Sequence, residues 1–264
     1  MPSKVSTENL TSYDLLKSLA LLLMIIDHTG FFFFPDNEWF RVLGRASMPI
    51  WLFLVGYARS RDLSSPLFIG AGLLVIANFI LGGSVFPLNI LVTIILVRLI
   101  LDPVASIVFK NWEAAIYGAF ALSVLTIFTF LMFEYGVCAL LVALCGYAFR
   151  HSQEINLSAR AQKIFFGYSM GFYSLFQMLL FQMPKLESQV MVMLIGATGL
   201  LLYQFRGREV PEIQQNLPAP ASSFLKIGGR YTLEIYVAHL ILFKLAACLL
   251  GLAAHGWFTW DWVR

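Results

Sequence analysis

An acid and an imidazole that are adjacent in the chain, Asp27 and His28, are the residues best suited to chemistry in this sequence. They end an apolar run that begins after Lys17. Ionisable side chains are costly inside a membrane-spanning helix, so their presence there usually marks a functional site. Because an imidazole gains and loses a proton near neutral pH, His28 could serve as a general base. The alternative is a structural histidine whose ring bonds another helix.

Lys17 extends the site predicted around His28. The two residues are eleven positions apart, which is about three turns of helix, so both side chains project from nearly the same face. They are separated by roughly 16 Å along the helix axis. This geometry suits a long ligand with an anionic head at Lys17 and its reactive end at His28. The alternative for Lys17 is a helix-end cation that reaches toward the membrane surface.

Asp27 points about 100° away from His28 around the helix, so it is poorly placed to orient the imidazole. Arg45, in the second apolar segment, is predicted to lie at the same depth. An unpaired buried charge is costly, which predicts an ion pair between Asp27 and Arg45. Arg45 could also polarise a carbonyl or stabilise an oxyanion. Whether Asp27 takes part in catalysis or only pairs with Arg45 stays open.

The elements that must position these residues are transmembrane helices. The chain has 264 residues, 59% apolar and 12% charged, unlike an ordinary soluble domain. Apolar runs recur along it, which predicts an all-α, polytopic transmembrane helical bundle that forms one domain over residues 1–264. About nine spans are predicted: 15–34, 40–58, 66–82, 86–101, 112–133, 135–150, 162–182, 188–205 and 231–254. The fourth and sixth are short, and the polar segment 206–226 is predicted to be a flexible loop.

Loop charge predicts the orientation, because cytoplasmic loops carry an excess of Lys and Arg. With the N-terminus inside, the cytoplasmic segments hold Lys4, Lys17, Arg59, Arg61, Lys110, Arg150, Arg160, Lys163, Arg206, Arg208, Lys226 and Arg230. The opposite segments hold Arg41, Lys185 and Arg264. This topology places Lys17 near the cytoplasm and His28 in the outer half of the bilayer, with the C-terminus outside. Arg98 ends the fourth span close to the level of Lys17.

The last span carries two further candidates for a substrate cavity, Glu234 and His239, although five residues of spacing do not place them on one face. Lys244 in the same span is expected to face a polar interior. Asn78, Gln177 and Gln182 are expected to form interhelical hydrogen bonds.

Composition also argues against two other classes of function. The net charge is +3, and the Lys and Arg residues are spread over the loops and form no basic patch, which does not suggest nucleic-acid binding. The cysteines, Cys138, Cys145 and Cys248, fall inside spans, so neither a disulfide framework nor a metal site is expected.

Two segments carry a resemblance to a known family. The run LLMIIDHTGFFFFP, followed by FRVLGRASMPIWLFLVGYARS, resembles the TraX family, small membrane proteins similar to the pilin acetyltransferase of conjugative plasmids. The spacing of Lys17 and His28 is similar to the Arg, ten residues and His of the type-3 membrane acyltransferases, with Lys in place of Arg. The segment GRYTLEIYVAHLIL, which contains His239, is similar to a late helix of membrane acyltransferases.

The resemblance implies a membrane acyltransferase of the bacterial inner membrane with acetyl-coenzyme A as donor. Lys17 and Arg98 then become candidates for its phosphates, and Arg45 for the thioester carbonyl, although a helix-end cation is the simpler interpretation of Arg98. The expected acceptor is an amine or hydroxyl of an envelope molecule: pilin, as for the TraX pilin enzyme, or a lipid or glycan. The alternatives are a transporter or flippase, since intramembrane charge also lines substrate pathways, and a scaffold without enzymatic activity.

Overall fold

The computed structural model describes residues 9–252 and 256–263, and it is almost entirely helical. The helices are α1 (Ser12–Phe33), α2 (Glu38–Gly44), α3 (Ser47–Tyr57), α4 (Ser65–Ile80), α5 (Ile90–Val108), α6 (Trp112–Thr129), α7 (Cys138–Arg150), α8 (Ala159–Phe181), α9 (Lys185–Gln204), α10 (Pro211–Asn216), α11 (Ala219–Arg230) and α12 (Thr232–Leu249). Two short strands, β1 (Gly83–Phe86) and β2 (Trp260–Val263), pair in parallel. The predicted all-α class of transmembrane bundle is confirmed, and the strand pair is a small addition to it.

Six helices within the described residues are long and apolar enough to cross a membrane: α1, α5, α6, α8, α9 and α12. Helices α4 and α7 are apolar but shorter, and the second predicted span is divided into α2 and α3. The chain is therefore an integral membrane protein, while the count of nine spans stays a prediction. Residues 253–254 of the ninth predicted span lie outside the described residues, as do Lys4 and Arg264.

The fourth predicted span is longer than the sequence indicates. It was expected to be short and to end at residue 101, but α5 continues through Pro103 to Val108. A proline removes one helical N–H and strains the preceding turn. The buried face formed by Leu101, Ala105 and Val108 outweighs that cost.

Helix α7 lies at the centre of the bundle. It packs against α3, α5, α6 and α8, and its residues 138–146 are all buried. The approach of α3 is very close, because a Cβ atom on Gly56 would overlap the Ala143 carbonyl and one on Gly146 would overlap the Phe53 carbonyl. A short helix that is covered by protein on every side explains the all-round apolar sequence of the sixth predicted span.

The N-terminal segment and residues 206–214 meet at one end of the bundle. Ser12 N donates to Arg208 O at 2.9 Å, and Val210 N donates to Leu10 O at 3.0 Å. The prediction of a flexible loop at 206–226 is wrong, because the segment contains α10 and the start of α11. Its prolines occupy the first helical turns, where a missing N–H leaves no helical hydrogen bond unmade.

The C-terminal segment lies at the opposite end. Strand β2 pairs with β1, and Phe258 N donates to Ile80 O at 3.0 Å. The turn between α6 and α7 joins this end, since Glu134 N donates to Leu88 O at 3.0 Å. The segment around residues 10–12 and strand β2 therefore lie at opposite ends of the bundle, and we expect them on opposite sides of the membrane.

This arrangement predicts the outcome of reporter fusions. A reporter within residues 206–226 should report the cytoplasm together with an N-terminal reporter, and one after residue 249 should report the opposite side. A reporter at residues 83–86 serves as the control, because β1 pairs directly with β2. If reporters at 83–86 and 206–226 give the same side, the assignment of the two ends is wrong.

Candidate functional site

The site is built around Asp27, a buried carboxylate in α1 that is held between two arginines. Arg45 is also buried; its Nη2 forms an ion pair with Asp27 Oδ2, and its Nε donates to Oδ1 at 3.2 Å. Arg41 Nη1 lies 2.7 Å from Oδ2. The predicted pairing of Asp27 with Arg45 is therefore present in the structure. Paired charges of this kind tolerate burial better than single ones because their attraction and hydrogen bonds offset the desolvation penalty of each.

Two glycines let α2 approach α1 closely enough for this pairing. A Cβ atom on Gly44 would overlap the Asp27 side chain, and one on Gly30 would overlap the Phe40 side chain. One glycine lies on α1 and the other on α2, and the two contacts are about one helical turn apart along the helix pair. The bare backbone of Gly44 leaves the space that the Asp27 carboxylate occupies.

Arg45 lies at the break between α2 and α3, as the C-cap of α2. Pro49 is four residues further on and has no N–H, so the Arg45 carbonyl receives no helical hydrogen bond from it. Tyr173 Oη of α8 donates to that carbonyl at 3.2 Å instead. The proline thus frees an acceptor, and a distant tyrosine uses it to fix the backbone of Arg45.

The Arg45 guanidinium is held by two further aromatic residues. Its Nη1 donates to Tyr135 Oη at 3.2 Å, and its Cζ lies 4.5 Å from the centroid of the Phe181 ring. Within the described residues, its side chain therefore donates three hydrogen bonds, two to Asp27 and one to Tyr135. A cation held in this way cannot reorient freely, so it presents a fixed positive charge.

Sequence reasoning missed Arg41, Tyr135 and Phe181. Arg41 was assigned to an outer loop, but it lies in α2 with its Cζ 5.4 Å from the centroid of the Phe181 ring. The signal that could have found it is its spacing, because Arg41 precedes Arg45 by four residues and α-helical side chains at that spacing share a face. Tyr135 and Phe181 carry no such local signal, since they come from distant parts of the chain.

His28 points away from Asp27 and meets α12. Its Nδ1 lies 2.8 Å from Nε2 of His239, and His239 Nδ1 lies 2.9 Å from the Ile235 carbonyl oxygen. A carbonyl only accepts, so the proton of neutral His239 is on Nδ1 and its Nε2 is an acceptor. His28 Nδ1 must then donate to His239 Nε2. The Ile235 carbonyl, which can only accept, thus fixes the proton positions on both histidines.

These two hydrogen bonds leave His28 Nε2 unprotonated, with a free lone pair. Among the residues that the structure describes, no hydrogen bond competes for that atom. His239 is buried, at 8% exposed, while His28 is half-buried. A neutral imidazole oriented through its other nitrogen is the arrangement that a general base requires.

Lys17 and Arg98 lie together at the other end of α1. Asp14 and Arg98 are the charged groups that act on the half-buried Lys17. Arg98 Nη1 donates to the Asp62 carbonyl at 2.6 Å, and Arg98 Nε is a buried N–H that finds no acceptor in the described part of the chain. Lys17 and Arg98 are therefore near enough to interact electrostatically, with Lys17 about three turns of α1 from His28, and that they hold one end of a ligand stays a prediction.

The structure does not bring Glu234 to the site. Its side chain is exposed on the first turn of α12, whereas His239 is turned inward against His28. Five residues of helix rotate a side chain by about 140°, which separates the two faces. The structure thus shows Glu234 and His239 on different faces, as their spacing indicates, and a role of Glu234 in a substrate cavity stays a prediction.

The remaining polar residues divide into satisfied and unsatisfied groups. Lys244 donates to Asn78 Oδ1, and Asn78 Nδ2 donates to the Ser84 carbonyl at 2.9 Å, so Asn78 forms the expected bonds. Gln177 does not, because its amide has no partner among the described residues. Across that part of the chain, no group of three or more His, Cys, Asp or Glu residues is arranged to hold a metal ion.

Comparison with known proteins gives one family and one relative. A family model described as TraX protein matches residues 12–208. An uncharacterized protein of Rickettsia prowazekii (strain Madrid E) is 26% identical over 154 residues, which cover 58% of this chain and 62% of that protein. The chain thus spans about three fifths of the length of this relative. No solved structure matches. The family match includes Lys17, Asp27, His28, Arg45 and Arg98, but not His239.

The ion pair predicts a measurable coupling between Asp27 and Arg45. Asp27→Asn leaves two guanidiniums without their carboxylate and should destabilise the protein by about 3–5 kcal/mol. Arg45→Gln should cost less, because Arg41 still pairs with Asp27. The double variant should recover part of the sum in a double-mutant cycle of unfolding in detergent.

The control for this cycle is the ion pair of Arg61 with Asp102, whose carboxylate side chain is 57% exposed. Its coupling should be below about 1 kcal/mol, because solvent screens exposed charges. Additive effects of the Asp27 and Arg45 substitutions would contradict the pairing.

Proposed function

The chain belongs to the TraX family, and from this premise we propose that it is a membrane-embedded acyltransferase. It moves an acetyl group from acetyl-coenzyme A to an amine or hydroxyl of an envelope acceptor. The observation that carries the proposal is the hydrogen bond between His28 and His239, which leaves the half-buried His28 with an unprotonated Nε2 inside a membrane helix. A histidine that served only to join two helices would not need a second histidine, itself held by Ile235, to set its tautomer.

In the proposed reaction, the acceptor nitrogen or oxygen attacks the thioester carbonyl carbon while His28 Nε2 takes its proton. The carbonyl π electrons move to oxygen and give a tetrahedral intermediate. When that intermediate collapses, the C–S bond breaks and the proton on Nε2 passes to the departing sulfur. His28 returns to its starting tautomer, and the products are the acetylated acceptor and free coenzyme A. A direct transfer of this kind needs no nucleophilic Ser or Cys.

Arg45 is proposed to stabilise the oxyanion of the intermediate. Preorganised positive charge in a water-poor site lowers a barrier because it need not reorient as charge develops. Arg45 fits this role since Asp27, Tyr135 and the Phe181 ring hold its guanidinium, and Tyr173 holds its backbone. Asp27 contributes by fixing Arg45 and Arg41.

The donor is proposed to enter from the cytoplasmic end. Lys17 and Arg98 would then meet the phosphates of coenzyme A, and the pantetheine arm would run along α1 toward His28. About three turns of helix separate these two ends, roughly 16 Å. Arg98 Nε is buried without an acceptor in the described part of the chain, so a phosphate oxygen that reached it would supply the missing acceptor.

The acceptor is proposed to reach His28 from the membrane or the outer face of the bacterial inner membrane. Pilin, a lipid and a glycan all carry an amine or hydroxyl that fits the reaction. The competing function is a transporter or flippase, which the ion-paired charges of Asp27, Arg41 and Arg45 also suit. Purified protein that binds acetyl-coenzyme A and slowly hydrolyses it would support the acyltransferase. Protein that does neither, but moves a charged solute across vesicles, would support the transporter.

Substitutions of Lys17 and of His28 should affect different steps, donor binding and turnover, because the two residues are assigned to opposite ends of the donor. Lys17→Ala should weaken acetyl-coenzyme A binding by about 1.5–3 kcal/mol, and Lys17→Arg should retain most activity. His28→Ala should leave donor binding nearly intact and lower turnover by about 10²–10⁴-fold. Donor titrations and steady-state kinetics on folded, detergent-solubilised variants measure both. Near-normal turnover by His28→Ala would show that the imidazole is structural.

His239 should behave as a positioning residue for His28. His239→Leu removes the acceptor of the His28 Nδ1 proton, so kcat should fall, by less than the roughly 10²–10⁴-fold loss expected without the base. His239→Gln should restore part of kcat, because an amide oxygen can accept that proton. KM for acetyl-coenzyme A should change little in either variant. Equal kcat values for His239→Leu and the unaltered protein would rule out the positioning role.

A further inference from the structure

Gln177 in α8 is a fully buried amide at 0% exposure, and neither of its polar atoms is satisfied. Both Oε1 and Nε2 are buried and without a hydrogen-bond partner among residues 9–252 and 256–263. Buried polar side chains in proteins almost always have partners, because an unpaired one keeps the cost of leaving water and gains nothing in return. An amide that lacks both a donor and an acceptor partner therefore calls for a physical reason.

Gln177 faces the site around Arg45. It lies four residues after Tyr173 and four before Phe181, so the three side chains follow one another along one face of α8. Tyr173 Oη donates to the Arg45 carbonyl at 3.2 Å. The Phe181 ring lies against the Arg45 guanidinium, with 4.5 Å from its centroid to Cζ. Gln177 thus lies between two residues that both contact Arg45.

The two serines of α8 that are buried or half-buried are satisfied within their own helix. Ser169 Oγ donates to the Phe165 carbonyl at 2.8 Å, and Ser174 Oγ donates to the Met170 carbonyl at 2.9 Å. A serine hydroxyl can make this local bond because it is short and close to the backbone. Gln177 is longer and extends past the backbone into the interior, where its amide needs a partner from another element or from a ligand.

We propose that Gln177 is a ligand-binding residue whose amide pairs with a secondary amide of the bound ligand. The Gln177 amide presents an N–H donor and a C=O acceptor side by side, and a secondary amide presents the complementary acceptor and donor. Two such bonds would satisfy both orphaned atoms. A site that leaves these groups unpaired without ligand discriminates strongly against ligands that lack the matching group.

The proposal rests on the acyltransferase function, which supplies two sources of this chemistry. The pantetheine arm of coenzyme A carries secondary amides, and so does the backbone of a polypeptide acceptor. Gln177 lies between Tyr173 and Phe181 on α8, and both of these residues contact Arg45, so in either case the paired amide would lie near the proposed oxyanion site. An internal water is the competing partner, since it could also bond both atoms.

The test compares Gln177→Met with the unaltered protein. Methionine has a similar volume and no amide, so it removes both hydrogen bonds and keeps the packing. Gln204→Met is the matched control, because Gln204 is an exposed glutamine at the end of α9. Gln177→Asn, which keeps the amide but withdraws it by one methylene group, serves if the methionine variant does not fold.

Two measurements separate the two sources. If the donor carries the amide, Gln177→Met should raise the Kd for acetyl-coenzyme A on the order of tenfold. If a polypeptide acceptor carries it, donor binding should be unchanged. The preference for acetylating a dipeptide amide over a simple alkylamine, measured as a ratio of kcat/KM, should then fall on the order of tenfold. Gln204→Met should change neither quantity.

Thermal unfolding without ligand separates these results from a bound water. Removal of an unsatisfied amide should leave Tm unchanged or raise it, whereas loss of a water-bridged amide should lower it. A lower Tm with unchanged donor affinity and unchanged acceptor preference would overturn the proposal. Unaltered protein that neither binds acetyl-coenzyme A nor transfers its acetyl group would refute the proposed function, and this proposal with it. That failure is distinguishable because it appears before any substitution is made.

Discussion

The buried carboxylate of Asp27 is the constraint on which the rest of the site depends. A charge inside a membrane bundle is tolerated only when partners replace the water it has lost. Arg45 and Arg41 provide that replacement. Arg41 lies in α2, the short helix that follows α1, and Arg45 caps the C-terminal end of α2. The requirement to pair Asp27 therefore draws α2 against α1, and Gly44 leaves the space in which the carboxylate fits. The first two elements of the chain become one rigid unit.

Adjacent positions on α1 then serve two different sides of the bundle. Asp27 faces α2, whereas His28, about 100° further around the helix, faces α12 and bonds His239. The same offset that prevents Asp27 from orienting His28 allows a second histidine to do so. The acidic residue and the imidazole are thus neighbours in sequence but belong to separate hydrogen-bond networks, one that holds a fixed cation and one that presents a lone pair.

Broken helices at the site are accompanied by partners for the backbone groups that they release. Pro49 deprives the Arg45 carbonyl of a helical donor, and Tyr173 supplies one. At the other end of α3, Arg61 donates to the carbonyls of Val55, Gly56 and Ala58. The buried polar atoms that lack partners within the described residues are those of Trp51, Arg98 and Gln177. Two of these three residues, Arg98 and Gln177, are assigned to the proposed ligand site, where a bound ligand would supply the missing hydrogen-bond partners.

The amino-acid sequence by itself determined the helical class, the positions of most apolar segments and the pairing of Asp27 with Arg45. Each of these follows from short-range periodicity or from the cost of a single buried charge, and both can be recognised from neighbouring residues in the sequence. Only the tertiary structure decided that Arg41 shares the carboxylate, that His239 rather than Asp27 orients His28, and that residues 206–226 are largely helical. Those outcomes depend on contacts between residues far apart in the chain, such as the 211 positions that separate His28 from His239. Helical periodicity shows which face a residue occupies, but packing decides which other helix that face meets.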